Sequence, residues 1–159
     1  MKALTIWQPW ATLIMEGGKP NEYRRWSAPK AMHNKRIVIH AGKAIPSIHE
    51  IRGLVYRLEK DDPLTGLIKE IALPILERLL NAPDALPRAA ALGTVRLGVP
   101  KKAIELHGAA VADSSRIDEH IYGWPVGEIE RWAPPVPSRG FQGFWPYPAS
   151  MVPKGALTE

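Results

Sequence analysis

The segment Gly17-Gly18-Lys19-Pro20-Asn21-Glu22-Tyr23-Arg24 holds the three side chains best suited to chemistry in this sequence: Lys19, Glu22 and Arg24. Lys19 follows a Gly-Gly pair, so no side chain on its N-terminal side keeps a ligand from the backbone N–H groups there. Glu22 and Arg24 are two apart and point to one face of an extended segment. Lys19 and Glu22 are an odd number apart, so their meeting depends on the turn made by Pro20-Asn21. If they meet, the carboxylate holds the ammonium and can act as general base for water, while Arg24 can grip a phosphate bidentately. The structural alternative is an ion-pair network that closes the fold without a ligand.

The chain has 159 residues and a formal charge of +5, and the charge is unevenly placed. Lys19, Arg24, Arg25, Lys30, Lys35, Arg36 and Lys43 share their stretch with one acid, Glu22, for a local charge of +6, while the remainder sums to −1. Tyr23, Trp26, His33 and His40 are interleaved with these cations. Basic groups that track phosphates beside aromatic faces that stack on bases make up single-stranded nucleic-acid sites. The alternative is a set of solvated cations on two faces of two strands. Of the six tryptophans, Trp26 is the expected stacking residue, with Trp124 second. Trp7, Trp10, Trp132 and Trp145 are expected in the core or plugging the ends of a barrel. His40 ends an apolar strand and reads first as a core histidine bonded to backbone, second as a ligand contact.

Composition narrows the remaining chemistry. An apolar fraction of 45% with 23% charged residues is that of a folded globular chain. Without cysteine there is no disulfide framework, thiolate metal site or Cys nucleophile. The five histidines lack metal-ligand spacing, Asp118-Glu119-His120 being the nearest approach, so no metal and no cofactor is expected. Ser114-Ser115 lacks the glycine frame of a nucleophile elbow, and phosphate-loop and dinucleotide fingerprints are missing. No apolar run approaches a membrane span, and the N-terminal apolar run is broken by Gln8, Pro9 and Thr12, so a cytoplasmic protein is expected.

The elements that must position these residues can be read in order. Ala3 to Trp7 is a short strand, and Pro9 suits the first turn of a helix carrying Trp10, Leu13 and Ile14, stopped by Gly17-Gly18. Asn21 to Ser27 is extended, and Lys35 to Ala41 is an apolar strand buried on both faces. Ser47 and Glu50 form a capping box opening a helix with Ile48, Ile51, Leu54, Val55 and Leu58 on one side. A second helix is expected from Pro63 to Leu80, kinked or split at Pro74, followed by a loop to Arg88. Ala91 to Val99 alternates as a strand, a helical turn is expected near Asp118, and Tyr122 to Trp132 and Val136 to Trp145 read as two further strands.

The G-x-K-x-x-E-x-R segment, preceded by Gln8-Pro9-Trp10-Ala11 and followed by Ile39-His40-Ala41-Gly42 and the late Pro137-Ser138-Arg139-Gly140-Phe141-Gln142-Gly143, resembles the ASCH domain family of PUA-like barrels. The resemblance spans about residues 2–43 and 91–146. It implies a single α+β domain over 1–159: a small mixed β-barrel flanked by helices, with a helical insertion near residues 47–88 and a Pro-rich tail from about 146. It also implies a cleft beside the G-x-K turn holding RNA, or DNA, or a modified nucleoside. Lys19, Arg24, Arg25, Trp26, Lys35, Arg36, His40 and Lys43 are the expected binding residues. Some small family members hydrolyse acetylated cytidine with a Lys, a Thr three residues later and a distant Glu, and others are ribonucleases. Lys19 matches that Lys and Glu22 stands in the Thr position, which makes Lys19 and Glu22 the catalytic candidates of a metal-independent hydrolase. A third reading makes the 47–88 helices a protein-contact surface.

Overall fold

The computed structural model describes residues 1–107, 112–113, 116–117 and 121–159. In chain order the elements are β1 (Lys2–Ile6), α1 (Trp10–Met15), β2 (Asn21–Arg24), β3 (Arg36–Ala41), α2 (Ile48–Glu59), α3 (Lys69–Leu79), β4 (Ala90–Leu97), β5 (Lys101–Lys102), α4 (Ala103–His107), β6 (Ala112–Asp113), β7 (Arg116–Ile117), β8 (Tyr122–Pro137) and β9 (Phe144–Pro146). The helical turn expected near Asp118, the Asp118-Glu119-His120 group and Ser114-Ser115 lie outside the described residues.

The main sheet runs β2-β8-β4-β3-β1-β9, with β5 also paired to β8. β1 and β3 are parallel, and the other pairs in this sheet are antiparallel. The sheet curls into a half-barrel, because rings from opposite ends of the strand order touch. Trp124 of β8 stacks on Phe144 of β9 at 5.6 Å between centroids, and Trp26, just past β2, reaches Phe144 edge-on at 6.2 Å.

Alternation along the strands sorts side chains between two covered faces. Leu4, Ile6, Ile37, Ile39 and Ala41 point inward to the core shared with α1, α2 and α3. Ala3 and Val38 point outward into a second cluster with Ala91, Trp132, Trp145 and Tyr147, against which Met151, Val152 and Ala156 pack. The chain after β9 therefore lies across the outer face, and β3 is buried on both sides as its unbroken apolar run requires. Helices α2 and α3 are amphipathic and bury Ile51, Leu54, Val55 and Leu58 of α2 and Ala72, Ile75, Leu76 and Leu79 of α3.

Three local expectations need correcting. The predicted Pro63–Leu80 helix breaks before Pro74: Pro63–Thr65 is a 3-10 turn, started by Leu64 N–H donating to the Asp62 carboxylate. Gly66 then turns left-handed at φ +65°, where any Cβ would come within 2.8 Å of the Tyr23 hydroxyl. α3 starts afresh at Lys69 and accommodates Pro74 inside it. Ser47 occupies the N-cap of α2, yet its side chain makes no capping hydrogen bond. The two strands expected over 122–145 are one 16-residue strand and a three-residue one. A register shift between β4 and β8 carries the long strand through Pro134 and Pro135. Thr94 faces away from the inner core, opposite Val38 of β3, and is buried because the outer face is covered too.

Candidate nucleic-acid interface

The G-x-K turn is built by the end of α1. Gly17, at φ +79°, lets the chain reverse, and the N–H groups of Gly18 and Lys19 both donate to Leu13 O at 2.8 and 3.0 Å. At the start of the same helix Gln8 takes the capping role: its Oε1 accepts from Thr12 N–H at 3.0 Å and its amide donates to Pro87 O at 2.7 Å. The QPW sequence thus ties α1 to the loop that precedes β4.

From this turn Lys19 extends inward and is 1% exposed. Its Nζ donates to Asn21 O and Glu22 Oε2, each at 2.9 Å, and lies 4.8 Å from the centre of the Tyr23 ring and 5.6 Å from that of Trp10. Arg24 Nε meets the other carboxylate oxygen, Glu22 Oε1, at 2.9 Å, and its Nη2 donates to Thr5 O at 3.4 Å. Lys19, Glu22 and Arg24 therefore form one chain of charge, with Glu22 (5% exposed) at its centre. Burial alone would raise the Glu22 carboxyl; the Lys19 ammonium and the Arg24 guanidinium, with the hydrogen bonds they donate, override it and hold the group below its ordinary value. The carboxylate is ionised, with both oxygens engaged by cations.

Three further residues gather near Arg24. Arg25 is exposed. Trp26 is 42% exposed and stands edge-on to Trp124 at 4.6 Å, while its carbonyl accepts from Trp124 Nε1 at 3.1 Å. Trp124 is fully buried and supports Trp26 from within. Thr5, whose carbonyl receives Arg24, also accepts Trp145 Nε1 through its hydroxyl at 3.1 Å.

His40 sits opposite Thr5 in the parallel β1–β3 pair, on the outer face. It is buried, and its Nε2 donates to Ser138 O at 2.9 Å. That tautomer leaves Nδ1 as the unprotonated nitrogen, without a partner and closed over by Gly140. Burial lowers the His40 pKa, against the raising effect of the Ser138 carbonyl.

The remaining cations are spread along β3. Lys43 is exposed just past its C-terminal end, beside Gly42, on which the Trp7 ring rests. Lys35 and Arg36 are at its N-terminal end, the far side of a six-residue strand. Lys35 is exposed, but Arg36 is buried and donates to Thr94 Oγ1, Glu128 O, Glu128 Oε2 and Glu159 O. The half-barrel thus brings Lys19, Glu22, Arg24, Arg25 and Trp26 together and leaves Lys35 and Arg36 apart from them. Trp7, expected in the core, is 71% exposed. Its position directly after a strand and before Gln-Pro, where the chain leaves the sheet, is the signal that could have shown this.

Among the described residues no group of three His, Asp or Glu side chains is arranged to hold a metal ion, and no helix is long and apolar enough to cross a membrane. Two cavities, of about 450 and 330 Å³, lie away from the G-x-K turn, one between β8 and residues 153–156 and one under α1 and α3. The model of the ASCH domain matches residues 4–99, from β1 through β4 and including α2 and α3. Comparison with curated proteins returns no match.

Proposed function

The chain belongs to the ASCH domain family, and on that premise we propose that it binds single-stranded RNA, or a modified nucleoside, at the mouth of the half-barrel beside Arg24. Trp26 carries this reading. It is an exposed ring packed edge-on against Trp124 and Phe144, next in sequence to Arg25 and two residues from Arg24, the outer end of the Lys19–Glu22–Arg24 chain. An exposed ring supported by two others is a stacking platform. Arg25 and Lys43 supply exposed charge for phosphates, and Lys30 adds to it on the chain between β2 and β3. Lys19 and Glu22 act as positioning residues that hold Arg24 at the mouth.

Binding of a labelled oligouridylate should weaken steeply with salt, and Arg25→Ala and Lys43→Ala should each flatten the salt dependence. Trp26→Ala should lose about 1–3 kcal/mol of affinity. Binding that ignores both salt and Trp26 overturns the proposal, and a DNA competitor of the same sequence separates RNA from DNA preference.

A hydrolase at the same place is favoured by one observation, the 2.9 Å contact of Lys19 with Glu22. It asks both groups to reach a substrate, whereas Lys19 is sealed and both Glu22 oxygens are engaged, which is why binding is the better-supported reading. Chelator-resistant turnover of acetylcytidine or of RNA that is abolished by Lys19→Ala would reverse that order. A partner of the helical insertion would have to use the outer sides of α2 and α3, since their apolar sides lie in the core.

A further inference from the structure

We infer that Lys102 and Tyr122, which lie beyond the family-matched residues, complete the RNA-binding mouth as a cation–ring–cation row with Arg24. The inference rests on the RNA-binding reading above and adds the residues that would take the nucleotide next to the one stacked on Trp26. It follows from the register of three strands. Tyr122 of β8 pairs directly with Arg24 of β2 on one side and with Lys102 of β5 on the other. Residues directly opposite in antiparallel pairs project from the same face, so the three side chains form one row. With neighbouring strands about 4.8 Å apart, Arg24 and Lys102 are roughly 10 Å apart across the Tyr122 ring.

That face is the inner one, where the mouth opens. Tyr122 packs at the margin of the inner core, and Trp124, two residues on and on the same side, is the ring that supports Trp26. The alternate residues Tyr23, Gly123 and Lys101 form the adjacent row on the opposite face, where Tyr23 clusters with Ala103 and Ile121. Lys102 is exposed and Tyr122 half-buried, so charge and ring are both within reach of a ligand. Arg24 is fixed by Glu22 and Thr5 O, whereas no ion pair of Lys102 is found among the described residues. A polyanion arriving at the mouth therefore meets an anchored cation, a ring and an exposed cation in sequence, which suits one base stacked between two backbone phosphates.

The test uses the full chain and a short labelled oligouridylate in a salt titration. Lys102→Ala should lower the slope of log affinity against log salt by about 0.7, the contribution of one single-strand phosphate contact, and Lys102→Arg should keep it. Tyr122→Leu should weaken binding about 5- to 150-fold while Tyr122→Phe retains it, because stacking needs the ring and not the hydroxyl. Lys60→Ala, just past the end of α2, is the control and should change neither. If Arg25→Ala lowers the slope while Lys102→Ala and Tyr122→Leu bind as wild type does, the row is wrong and the RNA-binding reading stands. If the wild-type chain binds no RNA, both fall.

Discussion

Glu22→Gln probes the charge chain at its centre. The substitution keeps the shape of the side chain and removes the one anion shared by Lys19 and Arg24. At an effective dielectric constant of about 20, each 2.9 Å contact represents roughly 6 kcal/mol of Coulomb attraction. Much of that is offset by taking the charges out of water, and Arg24 keeps part of its hydration. The loss that matters is therefore the stranding of buried Lys19, about 3–5 kcal/mol for breaking a buried pair from one side. For a chain of this size that is a fall in Tm of roughly 6–20 °C, readable by thermal melts and urea titration. Removing both ends of the pair should hurt less than the sum of the single changes, so Lys19→Met combined with Glu22→Gln should recover part of the loss. The wild-type advantage also depends on pH. The folded-state pKa of Glu22 is depressed, so the unfolded chain binds its proton first as pH falls. The stabilisation is present above the ordinary carboxylate pKa and disappears as pH falls through the lower folded-state value, whereas the Gln variant lacks this dependence. A loss below 1 kcal/mol that stays flat with pH would show Lys19 and Glu22 to be solvated, and would refute the reading of the chain as buried and structural.

Other outcomes follow from the same geometry. Arg36→Met should destabilise the fold by about 1–3 kcal/mol, since it removes the donor to the buried Thr94 hydroxyl, yet it should leave the salt slope of RNA binding unchanged; Arg25→Ala should lower that slope and leave the fold's stability as it is. Gly66→Ala should lower the urea midpoint by the equivalent of at least about 1 kcal/mol, because φ is +65° there and its Cβ would press on the Tyr23 hydroxyl. His40 has a depressed pKa in the folded state. Its contribution is present above the ordinary histidine pKa of about 6.5 and is lost as pH falls through the folded value, so His40→Gln should flatten stability against pH in that window.

Much of the local architecture is legible from residue types alone. Gly17-Gly18 after a short apolar helix specifies a stop, because only glycine enters the left-handed region cheaply, and that stop delivers Lys19. The apolar run Ile37-Val38-Ile39 specifies a strand covered on both sides. The spacing of Glu22 and Arg24 places them on one face, and the clustering of cations between Lys19 and Lys43 marks the charged part of the chain. These follow from the φ/ψ preferences and side-chain periodicity of neighbouring residues, which need no partner elsewhere in the sequence.

What stayed illegible depends on residues far apart in the chain. Arg36 and Arg25 look alike in sequence, but Arg36 is covered because Thr94, Glu128 and Glu159 converge on it, while Arg25 stays in solvent. The Lys19–Glu22 contact required the Pro20-Asn21 turn to close, and its burial required Trp10 and Tyr23 on either side. Lys102 and Tyr122 acquire meaning only from the register that sets them beside Arg24. Alternation tells which residues share a face of a strand, and it is silent on what covers that face. The sequence alone therefore determined the turn, the strands and the location of the charge, and the tertiary structure decided which charges are buried to hold the half-barrel together and which remain free to meet a ligand.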